Sequence, residues 1–224
     1  MDKTKEEWRH EYHDTAPLAG QGKIAEAIRR LDVYRQCRQI FVSPAPDLAQ
    51  IRINSLLDGK ELIVPSPGLK EGFYLLRPYV IPFPKLSLAV SLKGLPIHGQ
   101  LLRHQELSRL AISLLITEAL AVDCLGHRLG DGSGFFDLAC AILKKCGALA
   151  DKPTVWAVGG ATQPKKLPVD TWDVTMHGLM GEQGGVVFQP GGELPDIDWH
   201  LLPKQRIKKM TPFWKEWEKM HPSS

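Results

Sequence analysis

The stretch Gly126–Asp137, which reads GHRLGDGSGFFD, holds the residues of this chain whose types and spacing are best suited to chemistry. Glycines alternate with other residues at Gly130, Gly132 and Gly134, after an apolar run typical of a strand and before a run typical of a helix. Such a loop lets backbone N–H groups converge on an anion, and the N-terminus of the next helix adds about half a positive charge. The pattern indicates a phosphate-binding loop, although a glycine-rich turn without a ligand has the same spacing.

Three side chains of the same stretch would complete such a site. Arg128 is placed to make a charged, bidentate contact with a phosphate group. Ser133 lies between two of the glycines and belongs to the same predicted phosphate-binding set. Asp137, one turn into the predicted helix, could hold a Mg²⁺ ion that bridges phosphate oxygens.

The stretch also resembles the GxRLGxGxGYYD signature of the 5-formyltetrahydrofolate cyclo-ligase family, with Phe135 and Phe136 where paired tyrosines are usual. Two further segments agree with the family, in its order along the chain. Residues 5–9, KEEWR, are similar to the N-terminal KxxLR element, and residues 167–173, LPVDTWD, resemble the late VPxxxWD segment. The resemblance covers roughly residues 3–217. Within the family the chain looks like the subgroup called methenyltetrahydrofolate synthetase domain-containing proteins.

The resemblance implies a fold and a reaction. The fold is α/β, a three-layer α/β/α sandwich with a mostly parallel central sheet, as in sugar-phosphate isomerases and coenzyme A transferases. In the reaction, the formyl oxygen of 5-formyltetrahydrofolate attacks the γ-phosphate of ATP and ADP leaves. N10 then closes the ring and phosphate leaves, giving 5,10-methenyltetrahydrofolate. ATP and Mg²⁺ are the implied cofactors, and a reduced folate is the substrate. Such chemistry needs positioning and charge neutralisation more than a protein nucleophile, so no catalytic triad is expected.

The resemblance also implies roles for individual residues. Arg128 would be catalytic as well as phosphate-binding. The implied ATP- and phosphate-binding residues are Lys5, Arg9, Arg128, Gly130, Gly132, Ser133 and Gly134. The implied folate contacts are Asp47, Phe135 and Phe136, and the implied metal ligands are Asp137 and Asp173.

Two positions inside the glycine loop depart from the family pattern. Family members commonly have basic residues there, in forms such as GRGKG, whereas this chain has Asp131 and Ser133. Losing a lysine–phosphate contact costs about 1.5–3 kcal/mol, or roughly ten- to a hundredfold in affinity. Three alternatives to a folate enzyme stay open: a non-catalytic nucleotide- or folate-binding protein, an interaction module that uses a basic C-terminal helix at 204–219, and a different reaction on the same fold.

The elements that must position these residues follow from the hydrophobic pattern of the whole chain. Helices are predicted at residues 2–14, 23–36, 47–58, 134–147 and 204–219. Strands are predicted at residues 39–43, 61–65, 110–123 (two strands, broken near Glu118), 154–159 and 174–190 (two strands, around Gly184-Gly185). The proline-rich stretch 65–96 is predicted to form edge strands and loops. This alternation indicates a parallel sheet covered by helices, in a single domain spanning residues 1–224.

Composition excludes several other classes of protein. The chain has 224 residues, 43% of them hydrophobic and 24% charged, which is ordinary for one globular domain. A net charge of +3 is too small to imply nucleic acid as a partner. The four cysteines lack zinc-site spacing and are interpreted as reduced thiols. Residues 1–15 are charged throughout, and no apolar run is long enough to span a bilayer. We therefore expect a cytoplasmic protein without a membrane partner, of open oligomeric state.

Overall fold

The computed structural model describes residues 3–12, 20–163, 165–188 and 193–196, so the helix predicted at 204–219 lies outside the described residues. The helices are α1 (Lys5–Tyr12), α2 (Gln21–Arg30), α3 (Asp32–Gln36), α4 (Ala49–Leu57), α5 (Leu86–Ala89), α6 (Leu95–His98), α7 (His104–Leu107) and α8 (Phe135–Lys145). The strands are β1 (Gln39–Val42), β2 (Glu61–Pro65), β3 (Phe73–Leu76), β4 (Gln100–Leu101), β5 (Ile112–Glu118), β6 (Ala121–Asp123), β7 (Arg128–Leu129), β8 (Leu149–Val158), β9 (Ala161–Gln163), β10 (Gly178–Gly181) and β11 (Gly184–Val187). No helix in this described part is long and apolar enough to cross a bilayer.

Eight of these strands form one sheet, in the order β11-β10-β8-β5-β1-β2-β3-β4. The five strands from β10 to β2 run parallel to their neighbours. Antiparallel pairs occur at the two edges, where β11 pairs with β10 and where β3 pairs with β2 and β4. The mostly parallel central sheet predicted from the sequence is therefore confirmed.

Successive residues of the central strands point to opposite faces of this sheet and enter two separate cores. In β1, Ile40 and Val42 pack with the apolar faces of α2 and α4, whereas Phe41 packs with α8. Because each face of a buried parallel sheet needs a cover, the helices divide between the two faces. The predicted α/β/α arrangement is thus confirmed, and the single-domain boundary of 1–224 stays a prediction.

A second, three-stranded sheet in the order β7-β6-β9 lies beside the first and was not predicted. Strands of two or three residues leave too little hydrophobic pattern to be read from a sequence. A small apolar cluster joins this sheet to α1, and its members are Trp8, Ala121, Leu129 and Leu167. The cluster fixes the N-terminal helix next to the strand that carries Arg128.

Most other predicted elements lie where the pattern put them, with three differences. The helix predicted at 23–36 is two helices, because Leu31 adopts an extended backbone with φ −63° and ψ 135°. Strand β8 begins five residues before the predicted start, and its pairing with β5 shifts register between Ile112 and Leu114. The stretch 65–96 is predicted to hold edge strands and loops, but its strand β3 pairs on both sides, with β2 and with β4. The stretch also holds several single-turn helices, three of which have a proline at the first or second position, where a missing N–H costs no helical hydrogen bond.

Candidate functional site

A cleft of about 910 Å³ opens beside the large sheet, at the carboxyl ends of its parallel strands. Its walls come from the ends of β5 and β8, from the Gly159-Gly160 turn after β8, and from the hairpin of β10 and β11. In open parallel sheets ligands bind in the crevice outside the carboxyl ends of the strands. The cleft is therefore the candidate functional site.

The cleft is acidic. Four carboxylates line it, those of Asp47, Glu118, Asp131 and Glu182, and its described lining includes no lysine, arginine or histidine. Asp47 Oδ1 accepts a hydrogen bond of 2.6 Å from Gln21 Nε2, which ties this wall to the start of α2. Such a wall suits a ligand rich in N–H donors better than a polyphosphate. Sequence reasoning predicted Asp47 here and missed Glu118 and Glu182, because only the folded sheet brings the three together.

The glycine loop, residues 130–134, runs from the cleft into α8. Gly134 precedes the helix with φ 67°, a left-handed conformation that favours glycine. Asp131 Oδ1 accepts hydrogen bonds from Ser133 N at 2.9 Å and from Ser133 Oγ at 2.7 Å. Phe135 N in turn donates to Ser133 Oγ at 3.4 Å. Gly130 and Asp131 thus place the loop at the cleft. Two backbone N–H groups that an anion would use, those of Ser133 and Phe135, are already hydrogen-bonded within the loop.

Two arginines from distant parts of the chain meet at this loop. Arg9 Nε donates to Gly130 O at 3.1 Å, and its guanidinium lies 3.1 Å from the point where a Cβ at Gly132 would stand. A Cβ at Gly130 would overlap the guanidinium of Arg128. The two glycines therefore make space that the two arginines fill, which is a reason for glycine beyond backbone freedom.

Arg128 is almost fully buried, with 8% of its side chain exposed. Its Nη2 donates to Asp137 Oδ2 at 2.8 Å and its Nη1 to Glu118 O at 3.2 Å. The guanidinium carbon lies 5.0 Å from the ring centroid of Phe136, within range of a cation–π contact. Within the described structure Nε is buried without a hydrogen-bond partner, which is uncommon for a buried donor. One donor of Arg128 thus remains for a further acceptor.

Lys5 lies one turn before Arg9 on α1 and binds two carboxylates of the late segment, residues 167–173. Lys5 Nζ is 2.5 Å from Asp170 Oδ2 and also pairs with Asp173 Oδ2. Asp170 N donates to the same Asp173 oxygen at 2.7 Å. Of the three predicted phosphate-binding cations, Arg9 and Arg128 meet at the glycine loop, and Lys5 clamps α1 to the late segment beside it.

The predicted metal ligands Asp137 and Asp173 have different surroundings. Asp137 Oδ1 accepts from Val174 N at 3.0 Å and its Oδ2 accepts from Arg128, so both oxygens hold a protein donor. Asp173 is paired with Lys5 and lies next to the more exposed Asp170. No group of three or more histidine, cysteine or acidic side chains gathers within the described residues. Mg²⁺ often takes only one or two carboxylates and completes its shell with phosphate oxygens and water. Asp170 and Asp173 both pair with Lys5, and Asp137 pairs with Arg128. A metal ion at either place would therefore have to replace a protein cation.

The comparison with protein families decides the membership of the chain. The model of the 5-formyltetrahydrofolate cyclo-ligase family matches residues 3–181. The chain belongs to the 5-formyltetrahydrofolate cyclo-ligase family. The resemblance found in the glycine loop, the N-terminal element and the late segment is thereby confirmed.

Relatives within this family are distant. The human protein named methenyltetrahydrofolate synthase domain-containing protein is 26% identical over 177 residues, which cover 75% of this chain and 45% of its own length. The bovine protein of the same name is 26% identical over 210 residues, covering 89% and 53%. The chain spans about half the length of these curated relatives. The NMR structure of Aquifex aeolicus 5,10-methenyltetrahydrofolate synthetase has the same fold, with a TM-score of 0.53 and 20% identity over 88% of this chain and 96% of that one.

The two phenylalanines of the cyclo-ligase signature face different surroundings. Phe136 is buried and packs on Phe41, with ring centroids 6.0 Å apart, so it supports Arg128 from the core. Phe135 is 37% exposed, and its ring lies 3.4 Å from the point where a Cβ at Gly68 would stand, in the turn after β2. Of the predicted folate contacts, Asp47 lines the cleft and Phe135 is exposed, so both could touch a ligand. Phe136 is buried and could not.

A buried carboxylate that sequence reasoning missed, Asp123, holds the candidate site together. Asp123 Oδ1 accepts from the backbone N–H groups of Leu125 and His127, and Oδ2 accepts from His127 Nδ1 and Leu167 N, each at 2.9 Å. Burial by itself would raise the pKa of this carboxyl, but the hydrogen bonds from Leu167, His127 and Leu125 hold the pKa below its usual value. Asp123 therefore joins the turn before Arg128 to the start of the late segment.

Proposed function

We propose that this chain converts 5-formyltetrahydrofolate to 5,10-methenyltetrahydrofolate in an ATP- and Mg²⁺-dependent reaction. The observation that carries the proposal is the position of the glycine loop, which has an acidic cleft on one side and arginines from α1 and β7 against its backbone. Membership of the cyclo-ligase family supports the same reaction. A reaction between a polyanion and a donor-rich heterocycle needs these two environments side by side.

The arginines suit the triphosphate of ATP. Arg9 and Arg128 place two positive charges at the glycine loop. Each also has a carboxylate neighbour, Glu6 for the first and Asp137 for the second, and a bound anion would add attraction to both. Arg128 also keeps one buried donor, Nε, that has no hydrogen-bond partner among the described residues. A phosphate that binds at the loop would accept from this donor and replace the Asp131 carboxylate at Ser133 N. Charge-assisted bonds of this kind are about twice as strong as neutral ones.

The acidic cleft suits the pteridine ring of a reduced folate. The 2-amino group and the ring N–H groups of that heterocycle are hydrogen-bond donors, and carboxylates are acceptors only. Asp47 and Glu118 would bind those donors, and Phe135, exposed at the start of α8 after the glycine loop, would contact the ring face. The opposite assignment, with the triphosphate in the cleft, would set it against four carboxylates.

The residues of the chain would act through position and charge. Arg9 and Arg128 would hold the γ-phosphate towards the formyl oxygen and neutralise the charge that develops during transfer. The cleft carboxylates would fix the pteridine so that N10 approaches the activated formyl carbon, which raises the effective concentration of the reacting atoms. Mg²⁺, when bound at Asp170 and Asp173, would supply further neutralisation of the phosphate charge. A cytoplasmic location belongs to this proposal, and the four cysteines, all free thiols, accord with a reducing compartment.

A second candidate, a non-catalytic nucleotide- or folate-binding protein, is favoured by one observation. The Asp131 carboxylate already occupies Ser133 N inside the glycine loop, where a phosphate would bind. Calorimetric titration with Mg-ATP and separately with 5-formyltetrahydrofolate, together with absorbance of the methenyl product, separates the two candidates. Binding of both ligands with turnover supports the enzyme, and binding without turnover supports the second candidate.

The double variant Asp131→Arg with Ser133→Lys is expected to bind Mg-ATP at least about tenfold more tightly. It removes a negative charge, adds two positive ones, and frees Ser133 N from the carboxylate. Each new charged contact is worth about 1.5–3 kcal/mol, and 1.4 kcal/mol corresponds to tenfold in affinity. Calorimetry measures the affinity, and product absorbance at low ATP measures the expected rise in rate.

The variant Asp131→Asn is the matched control for this change, because its amide oxygen can still accept from Ser133 N while the charge is removed. It should give an intermediate affinity for ATP. Unchanged ATP affinity in both variants, with folding intact, would place the triphosphate away from the glycine loop.

The variant Asp173→Asn is expected to weaken Mg-ATP binding by about tenfold, since it removes one charged contact, and to leave the affinity for 5-formyltetrahydrofolate unchanged. In the unaltered chain the Asp173 carboxylate pairs with Lys5. It is the predicted metal ligand that is not paired with Arg128. Calorimetry with each ligand tests this, and Asp58→Asn is the control, because Asp58 pairs with Arg29 away from the cleft. Equal losses for both ligands would indicate damaged folding instead of a lost metal or phosphate contact.

A further inference from the structure

The connection between β3 and β4, residues 77–99, carries an unusual number of exposed apolar side chains. Tyr79, Phe83 and Ile97 are 81%, 73% and 70% exposed, and further exposed apolar residues of this connection are Val80, Leu88 and Leu92. Scattered apolar residues are normal on a protein surface, but a contiguous group of them marks an interaction site. Within this connection α5 lies in contact with α6, which brings its two halves together. We call these side chains, with the cations of the same connection, the basic apolar face.

The charge of this face has one sign. Between Glu71 and Glu106 the chain contains no aspartate or glutamate. Lys85 and Lys93 are exposed, and neither forms an ion pair with any described residue. Arg77 adds a third exposed cation, and its Nε lies 3.9 Å from Oε1 of Glu61 at the start of β2. A partner of this face must therefore be anionic as well as tolerant of apolar side chains.

The basic apolar face is held firmly by the fold. Its inner residues, among them Leu86, Ala89 and Leu95, belong to the core on the α4 side of the sheet. The buried Arg52 of α4 donates to Val90 O at 3.0 Å and so fastens the end of α5. The exposed side chains thus stand on a well-packed base, which lowers the entropy lost when they are buried against a partner.

The face also lies away from the cleft. Leu76, where the connection begins, pairs with Leu62 near the start of β2. The cleft is at the opposite ends of the parallel strands, where β5 and β8 end. A partner bound at the connection would leave the cleft open to small molecules.

Charge also decides among the possible occupants. A second copy of the same face would bring lysine against lysine. The chain beyond residue 196 has six lysines and arginines against three acids, so it is repelled as well. The most exposed apolar side chains, Tyr79, Phe83 and Ile97, lie in a turn and in two single-turn helices and are each at least 70% exposed. A fluid lipid interface accepts such side chains without matched pockets, and lysines alongside them meet lipid phosphates.

We propose that the basic apolar face, residues 77–99, docks the protein peripherally on an anionic lipid surface. The cytoplasmic leaflet of cell membranes carries such lipids. The lysines supply attraction that salt screens, and Tyr79, Phe83 and Ile97 enter the interface between headgroups and acyl chains. This inference is independent of the proposed reaction, because it uses no residue of the cleft.

Sedimentation of the full chain with lipid vesicles tests the proposal. The protein should bind vesicles of phosphatidylcholine that contain about a third phosphatidylserine, should bind pure phosphatidylcholine weakly, and should dissociate as salt is raised. Lys85→Glu with Lys93→Glu should lower binding by at least about tenfold. Phe83→Ser with Ile97→Ser should lower binding at all salt concentrations, and neither change should affect folding, because all four side chains are exposed.

Matched controls are Lys152→Glu with Lys166→Glu for charge and Val187→Ser for apolar exposure, all at exposed positions outside the face. These controls should bind vesicles about as well as the unaltered chain. The proposal is wrong if no anionic vesicle is bound, or if the controls lose as much binding as the variants of the face. Binding of poly-glutamate with the same dependence on Lys85 and Lys93, without vesicle binding, would overturn it in favour of an acidic protein partner.

Discussion

Replacement of Arg128 by glutamine is expected to lower kcat/KM for ATP by about 10²–10³-fold, the usual loss when one fixed donor to a developing negative charge is removed. Arg128 is buried, lies against the glycine loop, and keeps one donor without a described partner. Loss of its charge would remove a directed contact in a site of low dielectric constant, where such contacts are strongest. Steady-state rates of methenyl product formation at varied ATP measure the effect.

Controls must separate this role from stability, because the single variant leaves the buried Asp137 without its partner. Removing one member of a buried pair costs about 3–5 kcal/mol. The double variant Arg128→Gln with Asp137→Asn keeps a neutral hydrogen-bonding pair, and it should fold while remaining defective towards ATP. Arg29→Gln, which breaks a pair with Asp58 elsewhere in the fold, should lower stability and leave ATP binding unchanged. Full activity in the Arg128 double variant would remove Arg128 from the phosphate site.

The variant Asp123→Asn is expected to lower the free energy of unfolding by about 3 kcal/mol. One oxygen that accepts two hydrogen bonds becomes an amide that donates, so two N–H groups are left facing a donor. Hydrogen bonds to charged groups contribute about 1.5–3 kcal/mol each. Denaturant unfolding of the two proteins at neutral pH measures the difference.

The same aspartate predicts how stability depends on pH. Its pKa is lower in the folded protein than in the unfolded chain, so it stabilises the fold above the ordinary aspartate pKa. This contribution is lost as pH falls through the folded value, and the asparagine variant should lack that part of the acid-induced loss. Asp151→Asn, at an exposed position, is the control and should change neither quantity. Equal stability of the Asp123 variant and the parent chain would show that the network contributes nothing.

The sequence by itself determined the sheet and the position of the loop. Buried parallel strands appear as short apolar runs, and such runs at 39–43 and 61–65 correspond to β1 and β2 within one residue. Gly134 marked the entry into α8 correctly, because a left-handed residue before a helix favours glycine at that point. The motif at residues 126–137 also identified the family, since loop, arginine and aspartate occur together in the order that the family requires.

Only the tertiary structure decided which charges meet. Asp47, Glu118, Asp131 and Glu182 are far apart in the chain, and no periodicity predicts that they line one cleft. Asp137 and Asp173 carry the charge that a metal ligand needs. In the fold, however, Asp137 forms an ion pair with Arg128, and Asp173 forms one with Lys5. Local pattern determines elements, since it depends on neighbours in the chain, whereas the electrostatics of a site depends on neighbours in space.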